Sequence, residues 1–190
     1  MKKNLLIVGS QGYLGSRLTE YLKSRGYSCS AIDTGFFKEG MLTTPDFVDT
    51  VNKDARLLVE DDLEGFDALI LLAGISNDPF GNISSEKIYN PTRDYALRIA
   101  SMCKKLRIQF IYPSSCSVYG AAKDDFLTEE SQTNPQTPYS INKLQVEEGL
   151  SLMADESFTP IALRFGTVYG ISPRIRFDVV INMLCGLALT

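Results

Sequence analysis

Tyr139 and Lys143 stand four residues apart in TPYSINKL, directly after Pro138. Side chains at i and i+4 share one face of a helix, so a phenol and an ammonium would point the same way. A free phenol, with a pKa of about 10, is a poor base at neutral pH. A nearby ammonium favours the phenolate, and each unit of downward shift needs about 1.4 kcal/mol. Reaching the neutral range takes roughly three units, or about 4 kcal/mol, which a partly dry site can supply; Tyr139 would then be a general base. Taken alone, the same stretch is also an ordinary helix start with an exposed tyrosine and lysine. What separates the two readings lies elsewhere in the chain.

The chain has no histidine. Ser-His-Asp and Cys-His mechanisms are therefore excluded, as are histidine metal ligands, and a base must be Tyr, Lys, Asp, Glu or Cys. Cys29, Cys103, Cys116 and Cys185 are scattered without a C-x-x-C pair, so neither a zinc site nor a disulfide framework is signalled, and no metal is expected. A reduced, cytoplasmic setting fits. The net charge is −4 and no basic block occurs, which makes nucleic acid and anionic membrane poor partners. No stretch is long enough to span a membrane, and the apolar run Leu5 to Val8 is too short for a signal peptide.

A second place for chemistry is LLIVGSQGYLGSRL, with Gly9, Gly12 and Gly15 after an apolar run. One glycine permits a tight turn, one lets the backbone approach a pyrophosphate, and one lets a helix pack closely on a strand. The helix start offers free N–H groups and partial positive charge to the phosphates. A plain turn and helix start also produces such glycines. SCSAIDTG then ends in Asp33, which can accept hydrogen bonds from an adenosine ribose and repel a 2′-phosphate; alone it is equally a loop-capping aspartate. Together, in this order, they favour a dinucleotide site, and NAD over NADP because no arginine follows Asp33 closely.

The elements that position these residues alternate. Apolar strand-like runs fall at 4–9, 28–33, 66–74, 108–115 and 160–166, with a weak strand near 47–52. Helical stripes separate them: Leu14, Leu18, Tyr21 and Leu22 in 13–25; Tyr95, Ile99, Met102 and Leu106 in 93–106; Tyr139, Lys143, Val146 and Leu150 in 139–153. Strands alternating with helices predict an α/β fold, a doubly wound parallel sheet, and near-continuous apolar strands predict burial on both faces. With 190 residues and 44% apolar content, the chain can build one such core.

GSQGYLG at 9–15, Asp33, DA at 54–55, LLAG at 71–74, SSCSVYG at 114–120, YSINK at 139–143 and LRFGTVYG at 163–170 occur in one order. In this the sequence resembles the short-chain dehydrogenase/reductase superfamily, in its extended branch of nucleotide-sugar epimerases and dehydratases. The resemblance implies a Rossmann fold holding NAD. Gly9, Gly12, Tyr13, Leu14 and Gly15 would form the first turn, with Asp33 on the ribose and Asp54 and Ala55 against the adenine. Leu72, Ala73 and Gly74 would line the cofactor after the fourth strand. Asn90 would buttress the site, with Pro91 kinking the helix, although Asn90-Pro91 also reads as a simple helix break. Ser114 would touch the cofactor, and Lys143 would hold the nicotinamide ribose beside Tyr139. Ser115 would complete the catalytic set, binding the substrate oxygen while Tyr139 takes its proton. Ser76, Ser117 and Thr167 fall on the substrate side, and Arg174 and Arg176 could reach a diphosphate.

The departures matter too. Leu71 stands where relatives carry histidine, and Thr167 where many carry asparagine. Relatives that dehydrate sugars at carbons four and six place an Asp-Glu pair where this chain has Cys116 and Ser117, so that reaction is not expected, and Cys116 is read as a small buried thiol. The expectation is a nucleotide-sugar epimerase-like enzyme; a reductase or dehydrogenase of the same family, or a non-catalytic NAD sensor, are the alternatives. Residues 1–170 read as the NAD-binding domain with its catalytic residues. Residues 171–190 read as the start of a substrate-binding region, in a chain that looks like a fragment with that domain largely missing. Relatives dimerise through a four-helix bundle, here 84–106 and 138–154, which implies a homodimer.

Overall fold

The computed structural model describes residues 3–43, 50–75, 85–121 and 126–189. The chain runs through β1 (Asn4–Val8), α1 (Tyr13–Ser24), β2 (Ser28–Asp33), β3 (Thr50–Asn52), β4 (Ala68–Leu71), α2 (Ser85–Leu106), β5 (Gln109–Ser115), α3 (Pro138–Met153), β6 (Ile161–Phe165) and α4 (Val180–Ala188), with short 3-10 turns between. It forms two compact units, one of residues 1–73 and 167–190, the other of residues 74–166. Among the described residues no helix is long and apolar enough to cross a membrane.

In the first unit the strand order is β3-β2-β1-β4. These strands pair in parallel: Leu6 pairs with Ser30 and Leu69, and Ile32 with Val51. Leu6, Ile7, Val8, Leu58, Leu63 and Leu69 are almost wholly buried and form its core. Helix α1 is the crossover from β1 to β2. It ends where Gly26 takes φ 78°, with Tyr27 N–H donating to Leu22 O. In the second unit β5 and β6 pair in parallel, Ser115 opposite Phe165, with α3 as crossover. Parallel strands joined by crossover helices are the doubly wound, Rossmann arrangement expected from the sequence.

Helix α3 has a well-marked start. Thr137 caps it by accepting from the Ser140 N–H, Ser140 returns the favour to Thr137 N–H, and Pro138 needs no partner at the first position. Helix α2 begins earlier than its apolar stripe suggests and runs through Pro91.

Two patterns depart from the sequence. The buried face of α1 is Gly15, Ser16 and Thr19, while Tyr21 is exposed with Arg25 above its ring. Close helix–strand approach at Gly15 selects small residues there, and the leucine stripe falls to the sides. Burial on both faces also fails for β6, where Ile161, Leu163 and Phe165 are all exposed; an edge strand has a neighbour on one side only.

Candidate active site

The first unit builds a cradle from backbone. Gly9, directly after β1, has φ 94°, and a Cβ there would stand 2.3 Å from Ala73 N. A Cβ on Gly15 would stand 2.0 Å from Gly9 O. No side chain fits at either position. Gly12 differs: its φ is an ordinary −76°, and a Cβ would meet nothing closer than Gly9 O at 3.5 Å. Only the middle glycine faces open space. Helix α1 starts at Tyr13 with no side-chain cap and no acid in its first turn, so its first N–H groups keep their capacity for an anion.

The Asp33 carboxylate secures this loop, accepting from Gln11 N–H at 2.9 Å through Oδ2 and from Gly35 N–H at 2.9 Å through Oδ1. Two buried polar atoms beside it, Ser10 Oγ and Gln11 Oε1, have no partner among the described residues. Leu72 and Ala73 donate from their N–H groups to Val8 O and are half-buried, and Ala55 is buried. Asp54 caps the short turn Ala55–Leu57 and is gripped by Arg56 at 2.6 Å; that hydrogen bonding holds its carboxyl below the usual range.

The segment after β6 straps onto the same cradle. Tyr13 Oη donates to Gly170 O at 2.8 Å, and Asn182 of α4 donates to Tyr13 Oη while accepting from Gly170 N–H. Ser172 bonds Ser16 Oγ and Tyr13 O. Arg174 lies over the Phe37 ring at 4.5 Å, in the loop after Asp33, and Leu42 N–H donates to Pro173 O. So an arginine does reach that loop, from far along the chain, which local spacing could not reveal. Arg176 is paired with Asp178 at 2.5 Å, and Thr167 is exposed. Ser76 lies outside the described residues.

The second unit gathers titratable side chains. Ser115 ends β5 and caps the turn Cys116–Tyr119, accepting from Ser117 N–H at 3.2 Å and from Ser117 Oγ at 2.9 Å. With those two bonds accepted, the Ser115 hydroxyl proton is left to donate outward. Lys143 Nζ donates to Pro113 O at 2.6 Å, and stands 4.4 Å from the centroid of the Tyr112 ring and 5.6 Å from that of Tyr139. Burial lowers its pKa to about 8, against an opposing pull from Glu147. The half-buried Tyr139 ring meets Tyr89 edge-on at 6.3 Å, and Asn142 ties α3 to α2 by donating to Tyr89 O at 2.7 Å. Gly74 and Asn90 also belong to this unit; Gly74 is exposed and Asn90 half-buried.

Behind β5 runs a network that the sequence did not single out. Ser114 donates to Glu147, Glu147 pairs with Arg164 at 2.6 Å, and Arg164 reaches Tyr119 Oη at 2.7 Å. Glu147 sits four residues beyond Lys143 on α3, a spacing that marks it as belonging to the same helix face. Ser114 is thus engaged by a carboxylate. Cys116 is exposed, not buried, because the turn after β5 directs it outward, where Sγ donates to Arg164 O at 3.2 Å.

A sequence model described as the NAD dependent epimerase/dehydratase family matches residues 5–185. The chain belongs to this family. The uncharacterized UDP-glucose epimerase YtcB of Bacillus subtilis (strain 168) is 30% identical over 197 residues, covering 95% of this chain and 60% of that protein. Among solved structures, the NAD dependent NDP-hexosamine 5,6-dehydratase TunA, involved in tunicamycin biosynthesis, is 25% identical with a TM-score of 0.86, over 100% of this chain and 62% of the other. MoeE5 in complex with UDP-glucose and NAD is 25% identical with a TM-score of 0.79, over 95% and 59%. The chain therefore spans about three fifths of the length of these relatives.

The cofactor of the epimerase/dehydratase family is NAD. Its dinucleotide fits what the first unit offers: open space at Gly12, an uncapped helix start, and orphaned polar atoms at Ser10 and Gln11.

Proposed function

We propose that this chain holds NAD on the cradle of its first unit and carries, in its second unit, the proton-transfer residues of a nucleotide-sugar epimerase-like enzyme. The observation that carries the reading is Lys143, half-buried, lowered to about 8 by burial and 5.6 Å from the Tyr139 ring on the same helix face. Ser115 donates its free proton to the oxygen of a sugar carbinol. Tyr139 takes the proton of that carbinol, and the Lys143 ammonium lowers the cost of the phenolate state during the transfer. NAD supplies the hydride acceptor when bound. Loss of one hydride and one proton leaves a ketone; turning the keto sugar, then returning the hydride to the opposite face of the carbonyl carbon and the proton to its oxygen, gives the epimer. Cys116 and Ser117 provide no carboxylate pair for elimination of water at carbons four and six. Tyr13, Leu14, Asp33, Asp54, Ala55, Leu72, Ala73, Gly74, Asn90 and Ser114 are assigned to the cofactor, and Thr167, Arg174 and Arg176 to the substrate side.

The test is near-ultraviolet absorbance of NAD-loaded protein mixed with a panel of sugar nucleotides. A transient reduced-nicotinamide signal in the wild type, absent from Tyr139→Phe, is the expected outcome. Bound NAD that never changes redox state with any sugar nucleotide would make the chain a sensor instead. We further place the protein in the cytoplasm, since its four cysteines are unpaired, and as a homodimer through α2 and α3, which already pack together through Arg93–Gln145 and Asn142–Tyr89. The dimer assignment fails if light scattering at micromolar concentration reports a monomer. Residues 171–190 are assigned to the start of a substrate-binding region.

A further inference from the structure

Tyr112 lies on β5 with its side chain 2% exposed, and its hydroxyl has no hydrogen-bond partner among the described residues. A buried phenol without a partner is costly, since the desolvated hydroxyl gains nothing in return. What the residue does engage is its ring: Lys143 Nζ is 4.4 Å from the centroid, nearer than to Tyr139. We infer that Tyr112 is a positioning residue that acts through Lys143, its ring face holding the ammonium charged and in place within reach of Tyr139. The inference rests on the proposed role of Lys143 and adds the group that maintains it.

The surroundings of Lys143 explain why a ring is needed. From β5 come the Tyr112 ring and the Pro113 carbonyl; from α3 come the Tyr139 ring and the Glu147 carboxylate. Glu147 is already committed to Arg164 of β6 and to Ser114, so its charge is largely spent elsewhere. Among the described residues, helix α2 brings two phenols to this cluster, Tyr95 near Tyr112 and Tyr89 against Tyr139. A desolvated ammonium with one carbonyl acceptor and a spent counter-ion is left to the negative face of an aromatic ring, where the attraction is strongest away from water. Burial pushes the Tyr112 phenol up, so the ring stays neutral and acts as a face, not as a counter-charge.

The test follows Lys143 itself. The 13Cε shift of lysine-labelled protein is titrated against pH, with the resonance assigned through Lys143→Arg. Tyr112→Phe keeps the ring and is expected to keep the wild-type midpoint. Tyr112→Leu removes the face and is expected to lower the midpoint by about one pH unit, a tenfold loss of proton affinity. Should the leucine variant not fold, phenylalanines of increasing fluorination at position 112 keep the shape while draining the ring, and the midpoint should fall stepwise. A midpoint indifferent to fluorination, or a Phe variant displaced as far as Leu, overturns the inference. The titration needs neither cofactor nor substrate, so a chain without turnover would leave this result standing.

Discussion

The two units solve their chemical problems with different materials. The first builds its cradle from backbone: three glycines, an uncapped helix start and a carboxylate bonded to N–H groups. The second gathers side chains whose properties depend on burial, with Lys143 pulled down to about 8 beside the Tyr112 and Tyr139 rings. A cradle of backbone fails when an atom is added. A catalytic cluster fails when a functional group is removed. Substitutions in the two units should therefore break different observables.

The largest effect is expected at Gly15. A Cβ there lands on Gly9 O, a backbone atom that cannot step aside. Gly15→Val should cost about 3 kcal/mol or more, a large share of a typical domain's stability, and thermal unfolding should show it without any cofactor present. Tyr139→Phe should cost roughly two to four orders of magnitude in turnover while leaving unfolding and NAD binding unchanged, because it removes a proton acceptor and little surface. If Tyr139→Phe also lost NAD binding, the division of labour between the units would be wrong.

Lys143→Met sharpens the contrast at smaller amplitude. Lys143 titrates at about 8 in the folded protein against 10.5 unperturbed. Below pH 8 both folded and unfolded chains hold the proton, and the burial penalty is present in full. Between about 8 and 10.5 the unfolded chain holds more protons, so the wild type gains stability from this residue as pH rises. The gain is about 3 kcal/mol, and the neutral methionine should lack it. Equal pH dependence of melting in both proteins would show that Lys143 is not desolvated as described.

How much of this was legible in the sequence follows the same division. Gly9 and Gly15 could be read directly, because a backbone constraint is carried by residue type and spacing alone, and Gly12 and Asp33 came with them as parts of the same ordered pattern. Tyr139 and Lys143 could be paired because four residues on a helix is a local distance. What tunes them is not local: Tyr112 precedes Lys143 by thirty-one positions, and Arg164 reaches Glu147 across seventeen. Arg174 was a candidate from the sequence, but its contact with Phe37, made from the far end of the chain, was not legible for the same reason. Cys116 was misjudged because its exposure is set by the turn that Ser115 caps, not by its type. The leucine stripe of α1 misled because the closest contact of that helix runs through Gly15, Ser16 and Thr19.

The proposed dinucleotide site of the first unit lies at the one glycine of the Gly9, Gly12, Gly15 turn that the fold itself does not need. Gly12 is the place to ask. Its φ suits any residue and its Cβ position is open, so Gly12→Val should fold and melt like the wild type. The same side chain would fill the space where a pyrophosphate approaches the start of α1. Calorimetric titration of NAD into the wild type and Gly12→Val decides it. Micromolar or tighter binding is expected of the wild type, and none of a variant of undiminished thermal stability. NAD binding by Gly12→Val at wild-type affinity would contradict it.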